Sequence, residues 1–288
     1  MTLLAVPNVS EGRVGVTVTA VARAFQAPVL DLHLDPDHHR SVYTLAGEPG
    51  ELASTVLNGA REAIARIDIH GHEGVHPRVG AIDVAPIVYL HEPDRGAACA
   101  EALVLADLLG DELELPVFLY GALADGRTRA ELRRGGPDEL TRRIARGELA
   151  PDFGPPRLHP SAGAVLVAAR PPLIAFNLEL APPADLDTAR AIAAQIREGG
   201  PTGLSGVRAI GVWLSQRELA QVSTNVEDHR GTSLAEVVAA VRRHAAVTGA
   251  ELVGLVPREA LGGLPSDVAL RGVHVLEDAL AHSRARGH

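Results

Sequence analysis

The chain has 288 residues, 46% of them hydrophobic but only 3% aromatic, and its 27 basic and 36 acidic side chains leave a formal charge of -9. Length and composition suit one large or two medium domains with Val, Leu, Ile and Ala cores, which favours sheets covered by helices. No run of Lys or Arg could neutralise successive phosphates, which argues against a nucleic-acid partner, and Cys99 stands alone, which excludes an internal disulfide framework and a thiolate zinc site.

The lone cysteine fits a reducing cytoplasm. The opening residues MTLLAVPNVSEG carry no basic leader, and no apolar run approaches about 18 residues, so a soluble, unsecreted protein with no membrane association is expected.

Taken in chain order, hydrophobic spacing predicts a strand over 3–6, a helix over about 14–25, strands over 29–33 and 41–46, and a helix over 52–67. A segment rich in histidine and glycine interrupts the pattern at 67–83. Beyond it come a strand over 84–90, a helix over about 95–110, a strand over 116–120, two short charged helices between Thr128 and Gly147, and a strand over 164–169. From Pro172 the order restarts, with a strand over 173–178, a helix over 184–198, and strands over 207–214 and 219–224. A helix opened by the capping-box pair Ser233 and Glu236 and closed by Gly249 comes next, then a strand over 251–256. The order β-α-β-β-α-β thus occurs twice. The expected fold class is α/β (α+β): two ferredoxin-like halves, residues 1–171 and 172–288, each with helices on one face of its sheet. Two bare sheet faces then call for burial, and a ligand cleft between the halves is the expected result.

The segment Ile67–Asp83, IDIHGHEGVHPRVGAID, places His70, His72, His76, Glu73 and Arg78 on backbone broken by Gly71, Gly74, Pro77 and Gly80. Irregular loops of this composition carry chemistry more often than simple connections do. His72 and His76 have i, i+4 spacing, but Gly74 and Pro77 oppose the helix that would turn both toward one metal, so no metal is expected. A histidine suffices for acid-base work near neutrality. His76 is the candidate, with Arg78 as a nearby fixed charge and Asp83 able to orient the imidazole if the loop folds back; a structural loop histidine is the competing reading.

Four other stretches offer polar groups. In PDHHR, residues 36–40, Arg40 could grip a carboxylate, or be a solvated hairpin charge. PNVSEG, residues 7–12, sets Asn8 and Ser10 before a helix start, where an anion or a plain cap would fit. PDFGPPRLHPSAG, residues 151–163, is a stiff loop suited to ligand recognition or to spacing two halves. QVSTNVEDH, residues 221–229, holds Ser223, Thr224 and Asn225, residues that more often form turns than bind ligands.

VPNVSEGR, HRSVYTLAG, HPRVGAIDVAP, PVFLYG, APDFGP through AFN, AQVSTN and LVGLVPREAL occur in that order along the chain. Together they resemble the glutamate formimidoyltransferase family from end to end. The resemblance implies a stand-alone transferase without a cyclodeaminase domain, two ferredoxin-like subdomains with folate between them, and a homodimer. It implies transfer of a formimino group between N-formimino-L-glutamate and tetrahydrofolate as co-substrate, in histidine degradation and one-carbon metabolism. His76 becomes the catalytic histidine, with Arg78 and Asp83 beside it. Substrate contacts then fall on Asn8, Glu11, His33, His39 and Arg40, on Gly154, Pro155, Arg157, His159, Pro160, Ser161 and Gly163, and on Asn177 and Asn225. Val75 and His39 stand where the family usually has glutamate and asparagine, and His33 where an acid is frequent. These departures keep two further readings open: a folate-dependent transferase for another amine, and a folate-binding protein of weakened activity.

Overall fold

The computed structural model describes residues 1–285, and the chain divides into two compact units, one of residues Met1–Pro171 and one beginning at Pro172. In the first unit the elements are β1 (Leu3–Ala5), β2 (Asn8–Val9), α1 (Gly15–Ala24), β3 (Val29–Asp35), β4 (Arg40–Gly47), α2 (Leu52–Arg66) and β5 (Ile82–Tyr89). They continue with α3 (Arg95–Glu112), β6 (Val117–Leu119), α4 (Arg129–Arg133), α5 (Gly136–Ala145) and β7 (Val165–Arg170). Strands β1 and β2 are one line interrupted at Pro7, which lacks an N–H for the ladder. That line lies between β4 and β5, antiparallel to both, and β3 pairs outside β4. Numbered within the unit, the strands run 2-3-1-4, the order of a β-α-β-β-α-β frame. The sheet then continues through β7 and β6, both parallel to β5.

Alternation along these strands divides the residues between two faces. Leu3, Ala5, Tyr43, Leu45, Ala85 and Ile87 meet α1, α2 and α3 in the main core, with α2 contributing Leu52, Val56, Ala60 and Ala63 at helical spacing. Phe25 is one of only four phenylalanines, and it uses the absence of a side chain at Gly59, where a Cβ would lie 2.0 Å from the ring. The opposite face is not bare. Val84, Phe118, Leu166 and Ala168 pack there with Leu132 of α4 and Leu140 of α5, so the expectation of helices on one face is corrected for this part of the sheet.

The second unit comprises β8 (Ile174–Leu180), α6 (Leu186–Ile196), β9 (Val207–Leu214), β10 (Leu219–Val226), α7 (Leu234–Arg242), β11 (Val247–Val253), β12 (Leu255–Val256), β13 (Ala269–Arg271), β14 (His274–Val275) and α8 (Leu276–Ala285). Its main sheet runs β13-β11-β8-β10-β9, which repeats the frame of the first unit with β13 added in parallel. Phe176, Leu178, Val222 and Leu252 bury against Ile192 and Ile196 of α6 and Val237 and Val241 of α7. The Ser233–Glu236 capping box opens α7 as expected. Its end does not fall at Gly249: the helix stops at Arg242, and Gly249 is inside β11, because pairing of Val247–Val253 with β8 outcompetes helix continuation. Among the described residues no helix is long and apolar enough to cross a membrane.

Residues 67–83 are irregular except for a 3-10 turn over Ile69–Gly71 and the first residues of β5. Their ends are held by 159–164. Gly80 and Gly163 form an antiparallel bridge. Ala81 N–H donates to the Ala162 carbonyl at 2.8 Å, Ala164 N–H to Val79 at 3.0 Å, and Ile69 N–H to Ser161 at 2.8 Å. A Cβ on Gly80 would fall 1.9 Å from the Ala164 carbonyl oxygen, and one on Gly163, at φ +72°, would fall 2.2 Å from that of Val79. Gly80→Ala is therefore expected to lower unfolding free energy by about 2 kcal/mol or more in denaturant titration, since backbone must move. Gly96→Ala, in α3 with nothing within 4 Å, is the control and should leave stability unchanged or higher.

Candidate active site

In the first unit, Asn8, Val9, Ser10, His38, His39, Arg40, His72, His76, Arg78 and Asp83 line one small cleft. The strands supply Asn8 and Arg40, the four-residue β3–β4 connection supplies His38 and His39, and the braced loop supplies His72, His76 and Arg78. Of the expected site residues, Asn8, His39, Arg40, His76, Arg78 and Asp83 come together here.

His76 is half-buried, and its ring stands 5.9 Å from that of His38. Burial holds its pKa well below the ordinary histidine range, and the charges of Arg40 and Arg133 push the same way. The imidazole is thus neutral at pH 7, in the state that accepts a proton. Arg40 is paired in register with Asp35, and its Nε is buried without a hydrogen-bond partner.

Asp83 does not orient His76. Between β2 and β5 the register slips so that Val9 faces Ile82 and Asn8 faces Val84, leaving Asp83 as a bulged residue. Its buried carboxylate accepts from Val79 N–H at 2.8 Å and pairs with Arg133 of α4. This corrects the expected role: Asp83 closes the loop upon itself. Arg78 likewise turns inward, donating to the His72 carbonyl.

Two histidines that spacing left aside prove to be cavity walls. His72 donates from Nε2 to the His39 carbonyl at 2.8 Å, and its ring stacks on His39 at 4.1 Å with 16° between planes. Burial pushes its pKa down to about 4. His38, completely buried, meets Asp35 through Nδ1 and also donates its backbone N–H to that carboxylate at 2.8 Å. Burial alone would raise the Asp35 pKa, but these bonds, and the charge of His38 when it is protonated, outweigh it and bring it to about 2. The i, i+3 relation of Asp35 and His38 across a tight connection was the available signal for this pair. Ser10 completes the wall by donating to the Gly80 carbonyl at 2.7 Å.

Glu11 lies behind His39, whose Nε2 is 3.2 Å from it, and accepts from Arg13 and Val14 N–H at 2.7 and 2.9 Å. It fills the helix-start position where an anion was an option. His33 is on β3 outside the cleft lining. Gly154, Pro155, Arg157, His159, Pro160, Ser161 and Gly163 do not line it either. His159 Nδ1 accepts the Ala162 N–H at 3.0 Å and so shapes the bracing turn, whereas Arg157 is exposed. Asn177 and Asn225 belong to β8 and β10 of the second unit. The letters of His72–His76 spell H-E-x-x-H, but the backbone there is irregular, and among the described residues no group of three His, Cys, Asp or Glu is placed to hold a metal ion.

Comparison with known proteins defines a family. The N-terminal subdomain of the formiminotransferase domain matches residues 2–170, and the formiminotransferase domain matches residues 175–264. The chain belongs to the formiminotransferase family. It is 34% identical to glutamate formimidoyltransferase of Streptococcus pyogenes serotype M1 over 89% of each chain. Against glutamate formimidoyltransferase of Thermoplasma acidophilum it is 33% identical over 89% of this chain and 88% of that one. It is 39% identical to formimidoyltransferase-cyclodeaminase of Mus musculus over 89% of its own length, and it spans about half the length of that relative.

The buried histidines set a pH dependence. Unfolded, His72 titrates near its ordinary value of 6.5, and folded near 4, so between those values the unfolded chain binds more protons and stability rises with pH, levelling above 6.5. His76 adds to the same slope. Urea midpoints between pH 4 and 7 should show this rise, and His72→Gln should reduce the slope by up to about one proton.

Proposed function

We propose that this protein transfers a formimino group between N-formimino-L-glutamate and tetrahydrofolate, the reaction of histidine degradation and one-carbon metabolism that its family implies. The observation that carries the reading is His76, neutral and half-buried in the same cleft as the Arg40 guanidinium. An amine attacking the amidine carbon must shed a proton as the tetrahedral intermediate forms, and the departing nitrogen must gain one. A neutral imidazole can do both in turn. Arg40 offers an unpartnered N–H to the amino-acid carboxylate, and the bracing of the loop fixes the separation of the two groups.

In this reading tetrahydrofolate is a co-substrate, and acid-base steps fall to side chains rather than to a metal. The resemblance extends it to a cytoplasmic homodimer and to folate contacts at Gly154–Gly163, Asn177 and Asn225. Exposed Arg157 suits the glutamyl tail of folate.

A second reading, a different amine acceptor, is favoured by His39, which is engaged with both Glu11 and His72 where an asparagine would reach neither in the same way, and by exposed Val75. Val75→Glu combined with His39→Asn should then shift preference toward N-formimino-L-glutamate with tetrahydrofolate affinity nearly unchanged. Steady-state rates over a panel of N-formimino and N-formyl amino acids decide the matter, and an unaltered preference would reject it.

For the main reading, purified protein given N-formimino-L-glutamate and tetrahydrofolate should release glutamate. His76→Ala should lower turnover by about 10² to 10⁴-fold, with tetrahydrofolate binding in calorimetry little changed. His70→Ala, at an exposed ring, should lose far less. Near-normal turnover by His76→Ala would refute the mechanism.

A further inference from the structure

His76 has a difficulty as sole proton carrier. Arg40, Arg133, His38 when protonated, and Arg129 all oppose positive charge on its ring, and Asp83, the expected counter-ion, is committed to Arg133 and Val79. A proton taken from an attacking amine would be held there without support. The neighbouring imidazole is differently equipped. His38 is fixed on Asp35 through Nδ1, is completely buried, lines the same cleft, and has an Nε2 that is buried without a hydrogen-bond partner.

We infer that His38 is a second proton-transfer residue, receiving through Nε2 the proton that His76 removes and delivering it to the departing nitrogen, with Asp35 balancing the imidazolium while it exists. The inference rests on the transfer reaction proposed above. In that reaction the attacking nitrogen uses its lone pair to form the new C–N bond and loses its proton to His76. The proton passes from His76 to His38, whose ring centroid is 5.9 Å from that of His76. The old C–N bond then breaks, its electron pair leaves with the departing nitrogen, and that nitrogen takes the proton from His38. Both imidazoles finish neutral, and no further reactant is needed.

The arrangement follows the logic of a carboxylate-oriented histidine: with Nδ1–H given to Asp35, the lone pair is confined to Nε2, the ring nitrogen left without a partner. The ionised state of Asp35 is consistent with its pKa of about 2. The charged and titratable groups around His38 include His33 and Asp35 on β3, Arg40 on β4, His39 in its own connection, His72, His76 and Arg78 on the braced loop, and Asp83 on β5.

The test uses the full chain with N-formimino-L-glutamate and tetrahydrofolate. His38→Ala should lower kcat by about 10²-fold, the lower end of what acid-base groups supply, while KM for both substrates and calorimetric tetrahydrofolate affinity stay within about twofold. Added imidazole should restore part of the rate, and one limb of the kcat–pH profile should be lost. Asp35→Asn should give a smaller loss with the same altered limb. His38→Gln serves if the alanine variant does not fold, with the same expected loss and pH change. Unchanged kcat in these variants would overturn the proposal, and so would a loss with an unaltered pH profile and no imidazole rescue, which marks a structural role. Wild-type protein that fails to turn over this substrate pair would overturn the transfer reading itself, and this inference with it.

Discussion

The candidate site depends on a close approach of backbone to backbone at Gly80 and Gly163. Strands in a ladder stand about 4.8 Å apart, and any side chain between them at these positions would strike a carbonyl oxygen. The bridge and its flanking hydrogen bonds close both ends of a loop that has almost no internal ladder of its own. His76 and His72 project from a frame fixed at residues 79–81 and 69, so the two glycines set where both imidazoles stand. Loops that carry function usually rely on a rigid scaffold in this way.

Within that frame, electrostatics sets what each imidazole can do. His76 and His72 are held neutral by burial, and Arg40 and Arg133 add to the effect on His76. The two aspartates divide the work: Asp83 neutralises Arg133 and ties the loop, whereas Asp35 serves His38. A carboxylate placed beside His76 instead would raise its proton affinity and spoil its neutrality. The absence of that contact is thus chemically useful.

Much of this was legible from spacing. The restart of element order after Pro171 and the Ser233 capping box arise from local periodicity and side-chain chemistry, and the structure repeats the frame on either side of that residue. Gly80 was visible as a breaker and Gly163 as part of a stiff loop, but not as partners, because a long stretch of chain separates them and pairing is a tertiary fact. Asp83 was misassigned because a β-bulge leaves no mark in a sequence of apolar neighbours, and the bulge decides where the carboxylate points. Spacing gave no role to His38 and set His72 beside His76 alone; what each does depends on what buries it. Gly249 looked like a helix terminator, but cross-strand pairing overrode that local preference.

The two units share a strand order but diverge beyond the closing strand. After β11 the chain returns to lay β13 alongside after only a short excursion, while after β5 it makes a far longer one through α3, β6, α4 and α5 before β7 takes the equivalent place. Arg133 lies on that detour, in a helix set by the Thr128–Glu131 capping box, and from there it reaches back to Asp83. Asymmetry between two otherwise equivalent frames therefore originates in an insertion, not in the frame. Grafting the histidine loop alone onto a bare β-α-β-β-α-β scaffold would leave Asp83 as an uncompensated buried charge, so the loop and the detour form a single inheritable module.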